Sequence, residues 1–405
     1  MRALSLFSGI GGLDLAAHSA GIETVAFCEI EPFACRILAK RLPGVPIIND
    51  VREVVADGSL GTIGVVHGGF PCQDLSVAGK QRGLSGERSG LWYEMLRVVS
   101  ELIPAYVLAE NVRGACNLAL PAVVSGLEGE GYEVRASVVP ASAFGAPHKR
   151  ERLFVLGVRR DVADSACERL QRLWTTREQE SEVHAGKIVP VRDSIGSGEL
   201  WPTPCVHGNY NRRGLSENSG DGLATAVKMW RTPDASCGER GTHSPEGLKR
   251  RMERGMPLRI SDQVNVSSPP GCGQLSPLWV EILMGYPLGW TDPDCEEPEP
   301  WPGWPAMMGE RLWMTPKAGA CGMTAKTKGR PLEMSTHLSA QTFVAERDVA
   351  DQYPYEPPRT GTGIPHRAKR LKALGNSVVP AQAYPFFKAI AIMEEVIQCN
   401  TASSK

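Results

Sequence analysis

Across residues 1–158, short apolar runs of strand length alternate with stretches of helical spacing, and this alternation limits the fold more than any other feature of the chain. Residues 3–7 read as a buried strand, Ser8-Gly9-Ile10-Gly11-Gly12 as a tight turn, and 13–20 as the start of a helix. A second strand at 24–28 precedes a helix over 32–41, and the apolar 45–48 forms a third strand ending at Asp50. Residues 63–67, 105–109, 133–139 and 152–158 supply further strands, with helices over 91–103 and 118–130. Such alternation implies a largely parallel sheet covered on both faces, the α/β class.

Past residue 160 the character changes. Residues 161–274 are polar and rich in Gly, Pro, Ser and Arg, with little clean periodicity. A weak echo runs through them: Leu200-Trp201-Pro202-Thr203-Pro204, Met229-Trp230-Arg231-Thr232-Pro233 and Leu312-Trp313-Met314-Thr315-Pro316. The tryptophans are 29 and 83 residues apart, too uneven for a solenoid. Each echo reads instead as a short docking turn anchored by its tryptophan. Helical order returns at 275–283, residues 291–365 are loop-like, Gly375-Asn376-Ser377 is a turn, and 380–396 reads as a closing helix. The chain therefore divides into 1–160, 161–290, 291–365 and 366–398, its ordered pieces flanking a variable middle.

The net charge of −1 means that any nucleic-acid footprint must be local. The eleven cysteines show no regular framework, and Cys205, Cys237, Cys272, Cys295 and Cys321 lack paired Cys-x-x-Cys spacing, so no metal site is expected. No run of 18 apolar residues exists, and the first residues enter a strand without a signal-peptide pattern. The expectation is a cytoplasmic protein with reduced thiols and no membrane contact.

Phe7-Ser8-Gly9-Ile10-Gly11-Gly12 follows a strand and opens a helix. Glycines there let a ligand approach the backbone, and the helix start offers free N–H groups. Position 14 is Asp14 rather than glycine, so the turn departs from the Gly-x-Gly-x-x-Gly dinucleotide pattern and a nicotinamide cofactor is disfavoured. Glu29 ends the next strand, where an acid binds ribose hydroxyls, although a cap before Glu31-Pro32 is the plainer reading. Together with Asp50, these strand tips would define one crevice.

Cys72 lies in Gly68-Gly69-Phe70-Pro71-Cys72-Gln73-Asp74-Leu75-Ser76, a segment too polar to bury, which continues through Gly79, Gly83, Gly86 and Gly90 in the manner of a mobile lid. A free cysteine is ordinarily a small buried hydrophobe, but this setting suits a nucleophile. Glu110 ends the following strand and would project from the same sheet edge, where a carboxyl beside a thiolate suits proton transfer.

Taken in order, Phe7 to Gly12, Pro71-Cys72-Gln73, Glu110-Asn111-Val112, Arg150-Glu151-Arg152 and Gly375-Asn376-Ser377-Val378-Val379-Pro380 resemble the motifs of DNA cytosine-5 methyltransferases. The resemblance covers about 1–158, 275–290 and 368–396, and the tryptophan-threonine-proline echoes are similar to those of phage and prophage members. It implies a Rossmann-like S-adenosylmethionine-dependent methyltransferase fold with a smaller, loop-rich target-recognition region over 161–290. Cys72, Glu110, Arg150 and Arg152 would be catalytic. Phe7, Gly9, Gly11, Glu29, Ile30, Asp50, Asn376 and Ser377 would bind S-adenosylmethionine, and Pro71, Gln73, Ser76 and Asn111 would contact the base. Family members usually carry an aromatic residue where Ile30 stands and glutamine where His148 stands. Arg150 and Arg152 alternate on an expected strand and would share one active-site face.

The implied partner is double-stranded DNA, with basic clusters at 149–152, 249–259 and 367–372 available for phosphates, each reading equally well as an ordinary solvated face. A methylated site needs one catalytic centre per base, so a monomer is expected; the sequence leaves open whether a cognate restriction endonuclease, as a separate protein, accompanies it. The same chemistry on RNA, and a cofactor- or DNA-binding module without turnover, are the competing readings.

Overall fold

In the computed structural model the described residues are 1–71, 90–117, 119–144, 146, 148–165, 230–239, 242–266, 273–296, 298 and 357–398. Cys72, Gln73 and Ser76 lie outside them, as do the first and third tryptophan-threonine-proline echoes.

Seven strands form one sheet: β1 (Arg2–Leu6), β2 (Glu23–Cys28), β3 (Ile47–Ile48), β4 (Val65–Gly69), β5 (Tyr106–Val112), β6 (Tyr132–Pro140) and β7 (Glu151–Arg159). Their order is β3-β2-β1-β4-β5-β7-β6, parallel from β3 to β5, with β7 antiparallel to both β5 and β6. The α/β expectation thus holds.

The order reverses direction between β1 and β4, and a crevice opens at the carboxyl ends of strands at such a point. Helices α1 (Gly12–Ser19), α2 (Pro32–Arg41), α3 (Leu91–Leu102) and α4 (Leu120–Gly129) are the crossovers, and α9 (Pro380–Gln398) closes the chain. Between them in sequence lie α5 (Pro245–Glu253), α6 (Ile260–Val266), α7 (Pro277–Met284) and α8 (Arg367–Asn376). A small ladder pairs β8 (Gln274–Leu275) with β9 (Thr360–Gly361).

Period-two alternation along β5 feeds two cores. Tyr106 and Leu108 join Ala16, Ala17, Phe387 and Ile390 of α1 and α9 on one face. Val107 and Ala109 join Trp92, Met95, Val98 and Leu127 of α3 and α4 on the other. Phe387 and Ile390 are fully buried, and burial of such side chains stabilises the closing helix by about 2 kcal/mol each. A third cluster gathers Trp230, Trp279, Trp290, Leu371 and Leu374 with Phe33 and Ile37 of α2. Here the second echo docks: Trp230 is buried edge-on against Trp279, with the Arg359 guanidinium 5.0 Å from the Trp230 ring.

Several expected boundaries shift. Strand β1 stops at Leu6, because Phe7 turns away with φ of 53°. Strand β4 runs on through Gly68 and Gly69, since a Cβ on Gly68 would strike the Leu6 carbonyl of β1, and only glycine permits that approach. Strand β5 continues past Glu110 to Val112. Asp50 lies beyond β3 and caps the short helical turn Val51–Glu53.

Candidate active site

The two glycine-bearing strand ends on either side of the reversal define the site. Beyond β1, Gly9 and Gly11 take φ of 57° and 80°, values that favour glycine. Apart from its own chain neighbours, nothing among the described residues lies within 4 Å of where a Gly9 Cβ would stand, so that side of the loop is open. The Glu29 carboxylate, at the end of β2, accepts from Gly9 N at 2.7 Å and Glu31 N at 2.8 Å. These bonds pin the glycine loop and leave lone pairs for two hydroxyls. Burial pushes the Glu29 carboxyl above its ordinary value. The cap of α2 is Glu31, whose side chain accepts from Ala34 N, so the plainer reading of Glu29 as that cap fails. Ile30 is 71% exposed beside Glu29, an apolar surface turned to solvent. Asp50 is engaged by Arg52 through a close ion pair that holds its carboxyl down at about 2.

At the end of β4, Gly69 pairs in register with Glu110, and a Cβ there would stand 2.6 Å from Glu110 Oε2. Glycine is therefore what lets the Glu110 carboxylate lean toward the β4 tip. Its other oxygen meets Arg152 Nε at 2.8 Å. Desolvation raises the Glu110 carboxyl, while Arg152 and then Arg150 pull it back. Asn111 Nδ2 donates to the Phe70 carbonyl at 3.2 Å, tying β5 to the entry of the Pro71-Cys72 segment.

The structure separates Arg150 from Arg152. Arg150 precedes β7 with φ of 25°, and its guanidinium donates to the carbonyls of Pro233, Gly375 and Ser377. Its backbone N–H donates to Thr232 Oγ1 at 3.1 Å. It thus locks the docked echo to the Gly375-Asn376-Ser377 turn through three of its five donors, while its buried Nε finds no partner among the described residues. Gly375 permits this junction, because a Cβ there would collide with the Asp234 backbone. Asn376, at the end of α8, is exposed, and Ser377 Oγ donates to the Leu374 carbonyl. His148 is likewise turned inward: its Nε2 lies 2.8 Å from the Leu283 carbonyl, and burial drops its pKa to about 4.

Two of the three basic clusters also face inward in part. Arg370 is buried in α8 and pairs with Glu281 at 3.1 Å and Asp292 at 2.8 Å, and Arg367 donates to the Leu275 and Gly238 carbonyls. In the 149–152 cluster, Arg150 and Arg152 are the inward ones. The 249–259 cluster lies largely on α5, none of whose side chains is buried.

Residue-by-residue reading missed the contribution of 286–295. Trp290 Nε1 donates to the Ile10 carbonyl at 2.8 Å and Tyr286 Oη to the Val378 carbonyl at 3.0 Å. Arg41 of α2 holds the same segment by donating to the carbonyls of Gly289, Trp290, Asp292 and Cys295. The sequence signal for it lay in the stretch 275–290 that the resemblance covers, through its Met284-Gly285-Tyr286-Pro287 run. Among the described residues no group of His, Cys, Asp and Glu is arranged to hold a metal, and no helix is long and apolar enough to cross a membrane.

Residues 1–201 match the family described as C-5 cytosine-specific DNA methylase. The Type II methyltransferase M.NgoFVII of Neisseria gonorrhoeae is 39% identical over 166 residues, covering 40% of this chain and 44% of the relative. M.Eco47II of Escherichia coli is 34% identical over 204 residues, covering 49% and 46%. M.AquIA of Picosynechococcus is 36% identical over 178 residues, covering 39% of this chain and 72% of the relative. The chain spans under half the length of the first two.

Proposed function

The chain belongs to the C-5 cytosine-specific DNA methylase family, and from that premise we propose that it transfers a methyl group from S-adenosylmethionine to C5 of cytosine within a specific duplex DNA sequence. One observation carries the reading: the Glu110–Arg152 pair stands at the strand ends beside the β4 tip that leads into Pro71-Cys72. The crevice also fits the cofactor by its donor set. Glu29 suits the ribose hydroxyls, exposed Ile30 suits an adenine face, and Gly9 leaves one side of the loop that runs from Phe7 to Gly11 open. Asp50, Asn376 and Ser377 complete the proposed set. Bound there, S-adenosylmethionine supplies an electrophilic methyl on a sulfonium.

Cytosine C5 is a weak nucleophile toward such a methyl. In the proposed sequence the Cys72 thiolate adds to C6, and the electron pair displaced from the C5–C6 bond makes C5 nucleophilic. Glu110 meets N3 and the exocyclic amine, where charge develops as C6 is attacked. Its raised carboxyl suits donation of a hydrogen bond or proton to N3 at that moment. Arg152 fixes the orientation of that carboxyl. Once C5 has taken the methyl, with the methyl–sulfur bond broken and a neutral thioether released, the C5 proton leaves to solvent, any proton on N3 returns to Glu110, the C5–C6 double bond re-forms, and Cys72 departs as thiolate. Arg150 supports the site by holding its walls together. Asn111 acts through Phe70 on the segment that carries Pro71, Gln73 and Ser76. A base inside a duplex cannot reach such a crevice, so the cytosine is flipped out, at a cost of about a few kcal/mol of unstacking.

The proposed partner is duplex DNA, with residues 161–290 reading the site. One catalytic centre per base is met by a monomer, and a cognate restriction endonuclease would cut unmethylated copies of the same sequence as a separate protein. Bisulfite sequencing of DNA from cells expressing the chain, beside a Cys72→Ala control, tests this directly. Protected cytosines in one context, absent from the control, are expected. Protection that persists with Cys72→Ala would sink the mechanism.

A further inference from the structure

We infer that Trp290, assisted by Tyr286, is a positioning residue for the glycine loop, so that the segment following α7 sets the affinity for S-adenosylmethionine; the inference rests on the cofactor reading above. The loop needs such a restraint. Gly9 and Gly11 flank Ile10 with φ of 57° and 80°, and glycines lose more conformational freedom on ordering than other residues. Within its own neighbourhood the loop is held by Gly11 N to the Ser8 carbonyl at 3.0 Å and Ser8 N to the Cys28 carbonyl at 3.1 Å. The Ile10 carbonyl, at the apex, takes its donor from 280 residues away, the buried indole N–H of Trp290.

Trp290 is itself held rigidly from three directions. Arg41 donates to its carbonyl at 2.9 Å, and the Arg41 guanidinium lies 6.0 Å from the indole ring. The Glu281 carboxylate accepts from Gly289 N at 2.7 Å and Thr291 N at 2.9 Å, on either side of Trp290. The indole also lies against Gly11, whose Cβ would stand 3.8 Å from Trp290 Cζ2. Tyr286 extends the contact to the next residue: its hydroxyl occupies the space a Cβ on Gly12 would need, where α1 begins. A buried indole N–H needs an acceptor, but nothing in that need selects a carbonyl of the glycine loop. The choice of Ile10 makes the wedge 286–290 part of the mould for Gly11 and for Gly9, whose N–H donates to the Glu29 carboxylate.

Calorimetric titration of the full chain with S-adenosylmethionine tests the inference, comparing the unmodified protein with Trp290→Phe and Tyr286→Phe. Phenylalanine at 290 keeps a ring and removes the donor. Loss of one net hydrogen bond predicts a Kd about five- to tenfold weaker for Trp290→Phe, at unchanged stoichiometry and with kcat restored at saturating cofactor. A purely structural role would lower the stoichiometry or kcat and leave Kd alone, and that result overturns the inference. Should Trp290→Phe fail to fold, Tyr286→Phe decides: a weaker Kd at unchanged stoichiometry supports the wedge, and an unchanged Kd overturns it. Absence of binding by the unmodified chain would overturn the cofactor reading itself, and this inference with it.

Discussion

Glu110 Oε1 and Arg152 Nε stand 2.8 Å apart on antiparallel strands, as diagonal rather than directly opposite neighbours: Glu110 faces Phe154 in the ladder, and Arg152 faces Val112. Diagonal partners share a sheet face, so the register alone delivers the cation to the carboxylate. Both side chains are largely withdrawn from water, and a buried charge is tolerable only with its partner.

Replacement of Arg152 by glutamine should therefore act on Glu110. Burial already pushes that carboxyl up, and Arg152 opposes the push, so its loss moves the carboxyl further up. A carboxyl raised in the folded state keeps its full stability contribution below the unfolded value and loses it as pH rises through the folded value. The deficit of Arg152→Gln should be small near pH 4 and grow to about 3 kcal/mol near pH 8. Urea unfolding at the two pH values measures it, and equal deficits at both would contradict the pairing.

His148 gives the opposite slope. Its Nε2 must carry the proton to reach the Leu283 carbonyl, and burial lowers its pKa from 6.5 to about 4, so the folded state holds it neutral. A depressed folded value gives stability that is complete above about pH 6.5 and drains away as pH falls toward 4. Histidine titration should thus remove up to about 3 kcal/mol over that interval. Glutamine keeps a donor for Leu283 and cannot ionise. His148→Gln should flatten the acid side of the stability profile while leaving stability at pH 7.5 within about 1 kcal/mol, the worth of one net hydrogen bond. Urea midpoints from pH 4 to 7.5 provide the check.

The parts of the site legible in sequence were those written in local chemistry. The strand-turn-helix at 1–19 and the alternation of β5 announce themselves through glycine placement and period two. The parts that stayed hidden depend on distant contacts. Nothing near Arg150 says that its guanidinium will bond to carbonyls 83 and more positions away, and simple alternation put it on a face with Arg152. The left-handed φ just before β7 breaks that alternation. Likewise 367–372 looks like a solvated basic run, yet α8 turns one side toward α7, and periodicity cannot show which arginine meets a buried carboxylate. Gly68 and Gly69 read as loop because glycine disfavours strands, and it is the crowding by Leu6 and Glu110 that makes glycine the residue the strand requires.

Arg370 illustrates what those hidden contacts are worth. Its guanidinium reaches Glu281 at 3.1 Å, Thr291 Oγ1 at 3.0 Å and Asp292 at 2.8 Å, while Glu281 also accepts from Gly289 and Thr291 N–H groups. Arg370→Met leaves Glu281 as an unpaired buried charge and should cost about 3–5 kcal/mol. In Glu281→Gln the carboxylate is gone, so adding Arg370→Met to it should cost far less than in the native background. A double-mutant cycle by urea unfolding reads the coupling. Strict additivity would mean that the two side chains do not act as a pair.

Gly12 and Tyr286 make the tightest steric prediction. Alanine is a better helix former than glycine, and Gly12 begins α1 without a positive φ, so Gly12→Ala would ordinarily stabilise. Here the new methyl group would run into Tyr286 Oη, with Val378 Cγ1 at 3.0 Å and the Val378 carbonyl at 3.2 Å leaving no escape. Overpacking of this kind costs about 1–3 kcal/mol. Tyr286→Phe alone should cost about 1 kcal/mol, because the Val378 carbonyl loses its donor. In the Gly12→Ala background the same change removes the obstructing oxygen, so the double variant should be more stable than the sum of the single losses predicts. Thermal unfolding of the four proteins tests this, and a double variant at or below that sum would show that the Tyr286 hydroxyl is not what the methyl group meets.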